Sequence, residues 1–243
     1  MRKFGLIGYP LGHSFSKKYF TEKFEKEGIE QAQYDTYPIE SIELLPAILA
    51  NNPDLKGLNV TIPYKELVIP YLHKKSPVVQ KINACNCIKV VDGKLEGHNT
   101  DAIGFEASLK AAFPNLPSKA LILGTGGAAK AVEYVLQQNK IQYKFVSRKP
   151  SAYSFSYEQV TPAVVNEYKL IINTTPLGMF PHVVEAPQIP YEALSNEHCL
   201  YDVVYNPEKT LFLQKGEERG AAIKNGLEML VLQAEASWEI WNS

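Results

Sequence analysis

The chain has 243 residues, of which 45% are hydrophobic and 21% charged, and a formal net charge of -1, which predicts one large or two small soluble globular domains. The near-neutral balance excludes nucleic acid and anionic membrane surfaces as electrostatic partners, and no apolar run reaches the length of a membrane span. Three cysteines without a C-x-x-C spacing, five histidines without ligand spacing and a start too weakly apolar for a signal peptide point to a reduced cytoplasmic protein with no metal site.

In chain order, residues 4–8 read as a strand and 9–14 as a turn-rich loop. Ser16 is expected to N-cap a helix that runs to about Glu27 before Gly28. A second strand at 34–38 precedes a helix capped by Ser41. A third strand at 57–62 leads to a helix with Pro63 in its favoured first position. This alternation predicts a parallel or mixed sheet. The segments 85–91 and 94–97 flank Asp92-Gly93, a strong hairpin signal. Asn99-Thr100-Asp101 leads into a helix through Phe105 and Leu109, and a domain boundary is expected before 113–118.

The second half opens with the apolar strand 121–123, followed by Gly124-Thr125-Gly126-Gly127-Ala128-Ala129, which reads as G-x-G-x-x-A. An amphipathic helix with Val132, Val135 and Leu136 on its apolar stripe comes next, then a strand at 142–147. Strand, glycine turn, helix and second strand together are the context of a dinucleotide site. Its pyrophosphate would rest on the free N–H groups of the helix start. The second strand ends in Ser147-Arg148-Lys149, with no acid to take a ribose 2′-hydroxyl. A cationic pair suits a 2′-phosphate, so the cofactor reads as NADP. An ordinary βα turn with a surface Arg-Lys pair is the plainer alternative. Further strands are expected at 170–173, 199–203 and near 221–223, with the usual crossover helix missing or short at 151–156. The last helix, 227–241, places Leu230, Ala234, Trp238 and Trp241 on one face.

Polar residues stand out in the first half. Asn59 and Thr61 share one face at the carboxyl end of a strand, where open α/β sheets bind ligands. Lys65 falls in the first turn of the next helix, unfavourable for the dipole, so it is either a solvated surface lysine or a general acid/base facing a carbonyl. Asp101 offers a carboxylate at a helix start, or simply a cap. Asn86, between two cysteines, is an odd core residue without a polar ligand. Ser14 and Ser16 supply two hydroxyls, or a capping turn. This set suits a small polyhydroxylated acid. It holds no arginine, so a carboxylate would be held by hydroxyls.

These pieces resemble the shikimate dehydrogenases, NADP-dependent enzymes that reduce 3-dehydroshikimate. The resemblance rests on Gly8-Tyr-Pro-Leu-Gly-His-Ser-Phe-Ser16, Asn59-Val-Thr-Ile-Pro-Tyr-Lys65, Asn83-Ala-Cys-Asn86, Asn99-Thr-Asp101, Gly124-Thr-Gly-Gly-Ala128, Asn173-Thr-Thr-Pro-Leu-Gly178, Tyr201-Asp-Val-Val-Tyr205 and Asn225-Gly-Leu-Glu-Met-Leu-Val-Leu-Gln233. It implies Lys65 and Asp101 as the catalytic pair. Ser14, Ser16 and Tyr205 would hold the substrate carboxylate, and Asn59, Thr61, Asn86 and Gln233 the ring hydroxyls. Gly124, Gly126, Gly127, Ala128, Ser147, Arg148, Lys149, Thr174 and Gly226 would hold NADP. The chain departs from the family at Lys17, where proline is usual, and lacks the second arginine that often follows Arg148.

The expected architecture is an N-terminal α/β substrate-binding domain (1–101 with 226–243) plus a Rossmann-like NADP-binding domain (102–225), with the active site in the interdomain cleft. The resemblance implies a place in chorismate and aromatic amino acid biosynthesis, and a monomer or homodimer with a small-molecule substrate. Two alternatives are a quinate/shikimate dehydrogenase of broader specificity and a non-catalytic NADP-responsive regulatory module. Intact Lys65 and Asp101 argue against the second, because a sensor does not need them.

Overall fold

The computed structural model describes residues 1–12, 15–151 and 153–243. The chain divides into two compact units, Met1–Thr100 with Ala234–Ser243, and Asp101–Gln233. The return to the first unit thus falls at 234, eight residues beyond the expected 226. The start of the last helix stays with the second unit because the Gly226 N–H bonds the Val204 carbonyl at 3.1 Å and Lys224 pairs with Glu228. No helix among the described residues is long and apolar enough to cross a membrane.

The first unit runs β1 (Arg2–Gly8), α1 (Phe15–Lys26), β2 (Ala32–Pro38), α2 (Leu45–Asn51), β3 (Leu55–Val60), α3 (Tyr64–Leu67), β4 (Lys74–Lys75), α4 (Pro77–Ile82), β5 (Cys87–Val91) and β6 (Lys94–His98). Among the described residues it carries a six-stranded sheet in the order β2-β1-β3-β5-β6-β4. The sheet is mixed. β1 lies parallel to β2 and β3, while β3, β5 and β6 pair antiparallel. The Asp92-Gly93 turn forms the expected hairpin, with φ of 49° and 74°, both in the left-handed region that its turn type requires. Period-two alternation sorts β1 between two layers. Phe4 and Leu6 join Phe20, Phe24, Tyr34 and Trp241 on one face, and Ile7 joins Leu45, Leu58, Val60 and Ile88 on the other.

Several expectations are corrected. Ser16 is the second residue of α1, inside the helix and not its cap. β3 ends at Val60, so Thr61 lies just past the strand, although its N–H still bonds the Ile7 carbonyl at 2.9 Å. Pro63 is the N-cap of α3, one place earlier than expected. Asn86 precedes β5 and is not part of it.

The second unit continues with α5 (Thr100–Ala112), β7 (Lys119–Leu123), α6 (Gly127–Gln138), β8 (Gln142–Val146), β9 (Ser154–Phe155), α7 (Pro162–Glu167), β10 (Leu170–Asn173), β11 (Cys199–Asp202), α8 (Leu211–Glu217), β12 (Ala222–Lys224) and α9 (Leu227–Asn242); α5 takes its first residue from the first unit and α9 ends there. Among its described residues the sheet has the order β12-β11-β10-β7-β8-β9, all strands parallel. Counted from β7, this is the dinucleotide-binding order 3-2-1-4-5-6. Both faces are covered, which is why β7 and β10 are continuous apolar runs. The crossover between β8 and β9 holds no helix among the described residues, as the serines and aromatics at 151–156 suggested. β9 itself is the short sixth strand that sequence patterning does not reveal.

Candidate active site

In the first unit, hydrogen bonds link three of the expected substrate residues, Ser16, Asn59 and Asn86, through Tyr34, Thr100 and Ser237. Burial pushes the Tyr34 phenol well above its ordinary range, and a hydrogen bond with Ser16 pulls it back. The Tyr34 hydroxyl donates to Asn59 Oδ1 at 2.8 Å. Asn59 Nδ2 donates to Ser237 Oγ at 3.0 Å and to the Asn86 carbonyl at 3.3 Å. Ser237 Oγ lies 3.1 Å from Thr100 Oγ1. Asn86 Oδ1 accepts the Thr100 N–H at 2.6 Å, and its Nδ2 donates to Thr100 Oγ1 at 3.0 Å. Asn59, Asn86, Thr100 and Ser237 are all buried. Both Asn59 amide protons are therefore engaged, so what Asn59 can still offer a ligand is a lone pair on Oδ1.

The relay ends at the turn bearing the expected catalytic carboxylate. Asp101 follows Thr100 as the second residue of α5 and is buried. Lys65, partly buried, sits in α3, and its carbonyl accepts the Cys85 N–H at 2.7 Å, tying α3 to the segment that holds Asn86. Lys65 does not stand in the unfavourable first turn of a long helix, because α3 has four residues and no distinct first and last turn. Ser14 lies outside the described residues.

The second unit presents a different kind of site. A cavity of about 340 Å³ is lined by Gly124, Thr125, Gly126, Val146, Ser147, Arg148, Tyr157 and residues 174–177. Gly124 has φ of +101°, and a side chain there would meet Thr174 Oγ1 at 2.9 Å. Gly126 is the N-cap of α6, with open space where a Cβ would stand, so a diphosphate has room to reach the first free amides of a 12-residue helix. Ser147 Oγ accepts the Lys149 N–H at 3.2 Å, a tight turn that exposes Arg148 at the cavity rim. Thr174 Oγ1 bonds the Leu123 carbonyl at 2.7 Å, fixing the opposite wall to β7. A dinucleotide with a 2′-phosphate fits this set of amides, hydroxyl and cation.

Gly127, Ala128, Lys149, Tyr205, Gly226 and Gln233 do not line this cavity. Gly127 and Ala128 are the first residues of α6, and Lys149 is exposed beyond Arg148. Gly226 packs against backbone, where a Cβ would come within 2.2 Å of the Val203 carbonyl oxygen, so a side chain has no room there. Tyr205 is 37% exposed, and partial burial raises its phenol. Gln233 is buried on α9, with Nε2 bonded to the Leu230 carbonyl at 3.0 Å. Among residues not foreseen, Ser237 carries a weak signal as a small polar residue on the apolar face of the last helix. Thr175 and Leu177 belong to a quoted motif, whereas Tyr34 and Tyr157 carry no local signal.

Comparison with known proteins gives consistent matches. The family model described as the shikimate dehydrogenase substrate binding domain matches residues 6–88. The chain is 32% identical to the shikimate dehydrogenase (NADP(+)) of Desulforamulus reducens, over 98% of this chain and 88% of that protein. Its fold matches a chorismate mutase/shikimate 5-dehydrogenase fusion protein from Clostridium acetobutylicum, with TM-score 0.89 and 36% identity over 99% of this chain and 91% of the other. It also matches shikimate 5-dehydrogenase from Thermus thermophilus, in complex with NADP(H) and shikimate, with TM-score 0.86 and 31% identity over 99% and 93% of the two chains.

Proposed function

We propose, since this chain belongs to the shikimate dehydrogenase family, that it catalyses the reversible NADPH-dependent reduction of 3-dehydroshikimate to shikimate, in the cytoplasm, as a step toward aromatic amino acids. The observation that supports this most is the hydrogen-bonded relay Ser16–Tyr34–Asn59–Ser237–Thr100–Asn86, buried from Tyr34 onward, which holds donors and acceptors in fixed directions as a polyhydroxylated ring requires.

When bound, NADPH supplies the hydride that reduces the ring carbonyl. The chain's own residues bind, align and move the proton. Lys65 gives a proton to the carbonyl oxygen in reduction and takes it back in oxidation. Asp101 accepts a hydrogen bond from Lys65 or from a substrate hydroxyl and orients both. Ser14, Ser16 and Tyr205 hold the substrate carboxylate. Thr61, Asn86 and Gln233 bind ring hydroxyls, and Asn59 accepts one through its remaining Oδ1 lone pair. The amides at Gly126 and Gly127 receive the diphosphate, and Arg148 the 2′-phosphate.

The test is direct. Purified protein given shikimate and NADP should raise absorbance at the NADPH band, and the reverse mixture should lower it. Faster turnover of quinate than of shikimate would reassign the substrate, and NADPH binding without any turnover would make the chain a sensor.

A further inference from the structure

The second unit buries a carboxylate for which the reaction has no use. Asp202 ends β11 and is fully buried. Its Oδ1 accepts the Val204 N–H and Asn173 Nδ2, each at 3.0 Å, and its Oδ2 accepts the Thr210 hydroxyl at 2.6 Å. Burial outweighs the hydrogen bonds from Thr210, Val204 and Asn173, which pull the other way, and leaves its carboxyl pushed up to about 6. Burying such a group lowers stability, and apolar residues in its place are often neutral or better. A buried carboxylate is tolerable where it orients something else.

What it orients is the amide of Asn173. With Nδ2 on Asp202, Asn173 must aim Oδ1 the other way, and Oδ1 there accepts the Thr175 N–H at 3.0 Å and the Thr175 hydroxyl at 2.6 Å. Thr175 Oγ1 in turn accepts the Leu177 N–H at 3.3 Å. Residues 174–177 are one wall of the 340 Å³ cavity. The same Oδ1 also holds Val204, whose carbonyl takes the Gly226 N–H at 3.1 Å and whose chain continues directly into Tyr205.

We propose that Asp202 is a positioning residue: it fixes the flip of Asn173, which sets the Thr174–Leu177 wall of the dinucleotide cavity, and it anchors the segment that carries Tyr205. The inference rests on the cofactor reading above. An acceptor facing Asn173 is the essential feature, since a donor at that place would turn the amide around and leave Thr175 facing two protons.

The experiment measures NADPH dissociation constants by fluorescence titration, with thermal unfolding as a parallel readout, for Asp202→Ala, Asn173→Ala, the double variant and Asp202→Asn. Asp202→Ala and Asn173→Ala should each weaken NADPH about tenfold, and the double variant should be no weaker than the worse single, as expected of residues in one chain of hydrogen bonds. Asp202→Asn keeps a carbonyl toward Val204 and Asn173 and turns its amide to Thr210, so it should bind NADPH nearly as wild type does. Unchanged NADPH affinity in a less stable Asp202→Ala protein would reduce Asp202 to a fold residue. Additive losses in the double variant would overturn the route through Asn173. If Asp202→Ala does not fold, Asn173→Ala decides, because normal NADPH affinity there overturns the proposal. Wild-type protein that binds NADPH but does not turn over shikimate would sink the proposed reaction and leave this inference standing; wild-type protein that does not bind NADPH overturns both.

Discussion

Asn59 and Gly126 each stand where a β-strand delivers the chain to a proposed ligand, and they prepare for it in opposite ways. Asn59, at the end of β3, has both amide protons engaged and one oxygen lone pair taken by Tyr34. Gly126, beyond β7, has no side chain and offers bare amides at the start of α6. A ring with several hydroxyls needs donors and acceptors of defined direction, and direction comes from neighbours that are themselves bonded. A diphosphate needs N–H groups and positive charge, which backbone supplies without a network. Damage on the substrate side should therefore spread along the relay, and damage at the glycine turn that begins α6 should stay local.

The largest expected effect tests the chemical end of the relay. Lys65→Ala should lower kcat by about 10²–10⁴-fold, the usual share of a positioned proton donor, with NADPH binding almost unchanged. If Lys65 and Asp101 work as one unit, Lys65→Ala/Asp101→Ala should be little worse than the worse single variant. Near-normal kcat in Lys65→Ala would return that lysine to the bland role of a surface charge.

Ser237→Ala asks whether damage spreads. It removes the acceptor of Asn59 Nδ2 and the partner of Thr100, both buried. Leaving a buried amide proton unmet should cost about 1–3 kcal/mol in urea unfolding. The KM for shikimate should rise as well, because Asn86 is held through Thr100. A loss of stability with an unchanged KM would show the relay to be scaffolding and weaken the contrast between the units.

The smallest effect belongs to the cofactor rim. Arg148 is exposed, so Arg148→Ala should leave the melting temperature where it is. It should weaken NADP roughly tenfold relative to NAD, as expected for one charge-assisted contact. Equal weakening of both dinucleotides would show that Arg148 does not read the 2′-phosphate.

Legibility followed the range of the forces involved. The glycine turn of the second unit was readable because strand, turn and helix are adjacent in sequence, and Gly124 adopts a φ of +101° that other residues rarely tolerate. The Asp92-Gly93 hairpin was readable for the same reason. Ser16 looks like a cap because serine is a common cap residue wherever a helix is expected to begin, and only the course of α1 shows it inside the helix. The dipole argument for Lys65 presumed a helix of several turns, whereas α3 is a single turn.

By itself, the sequence determined the strand and turn chemistry, the two α/β units, the glycine turn before α6 and the identity of most proposed site residues. Local sterics and periodicity act over a few residues and leave their mark there. Only the tertiary structure decided which buried polar groups answer one another. Asn59 bonds Ser237 across 178 residues of chain, and Asn173 bonds Asp202 across 29. A buried donor must find an acceptor wherever packing brings one, and no local rule of sequence names that partner in advance.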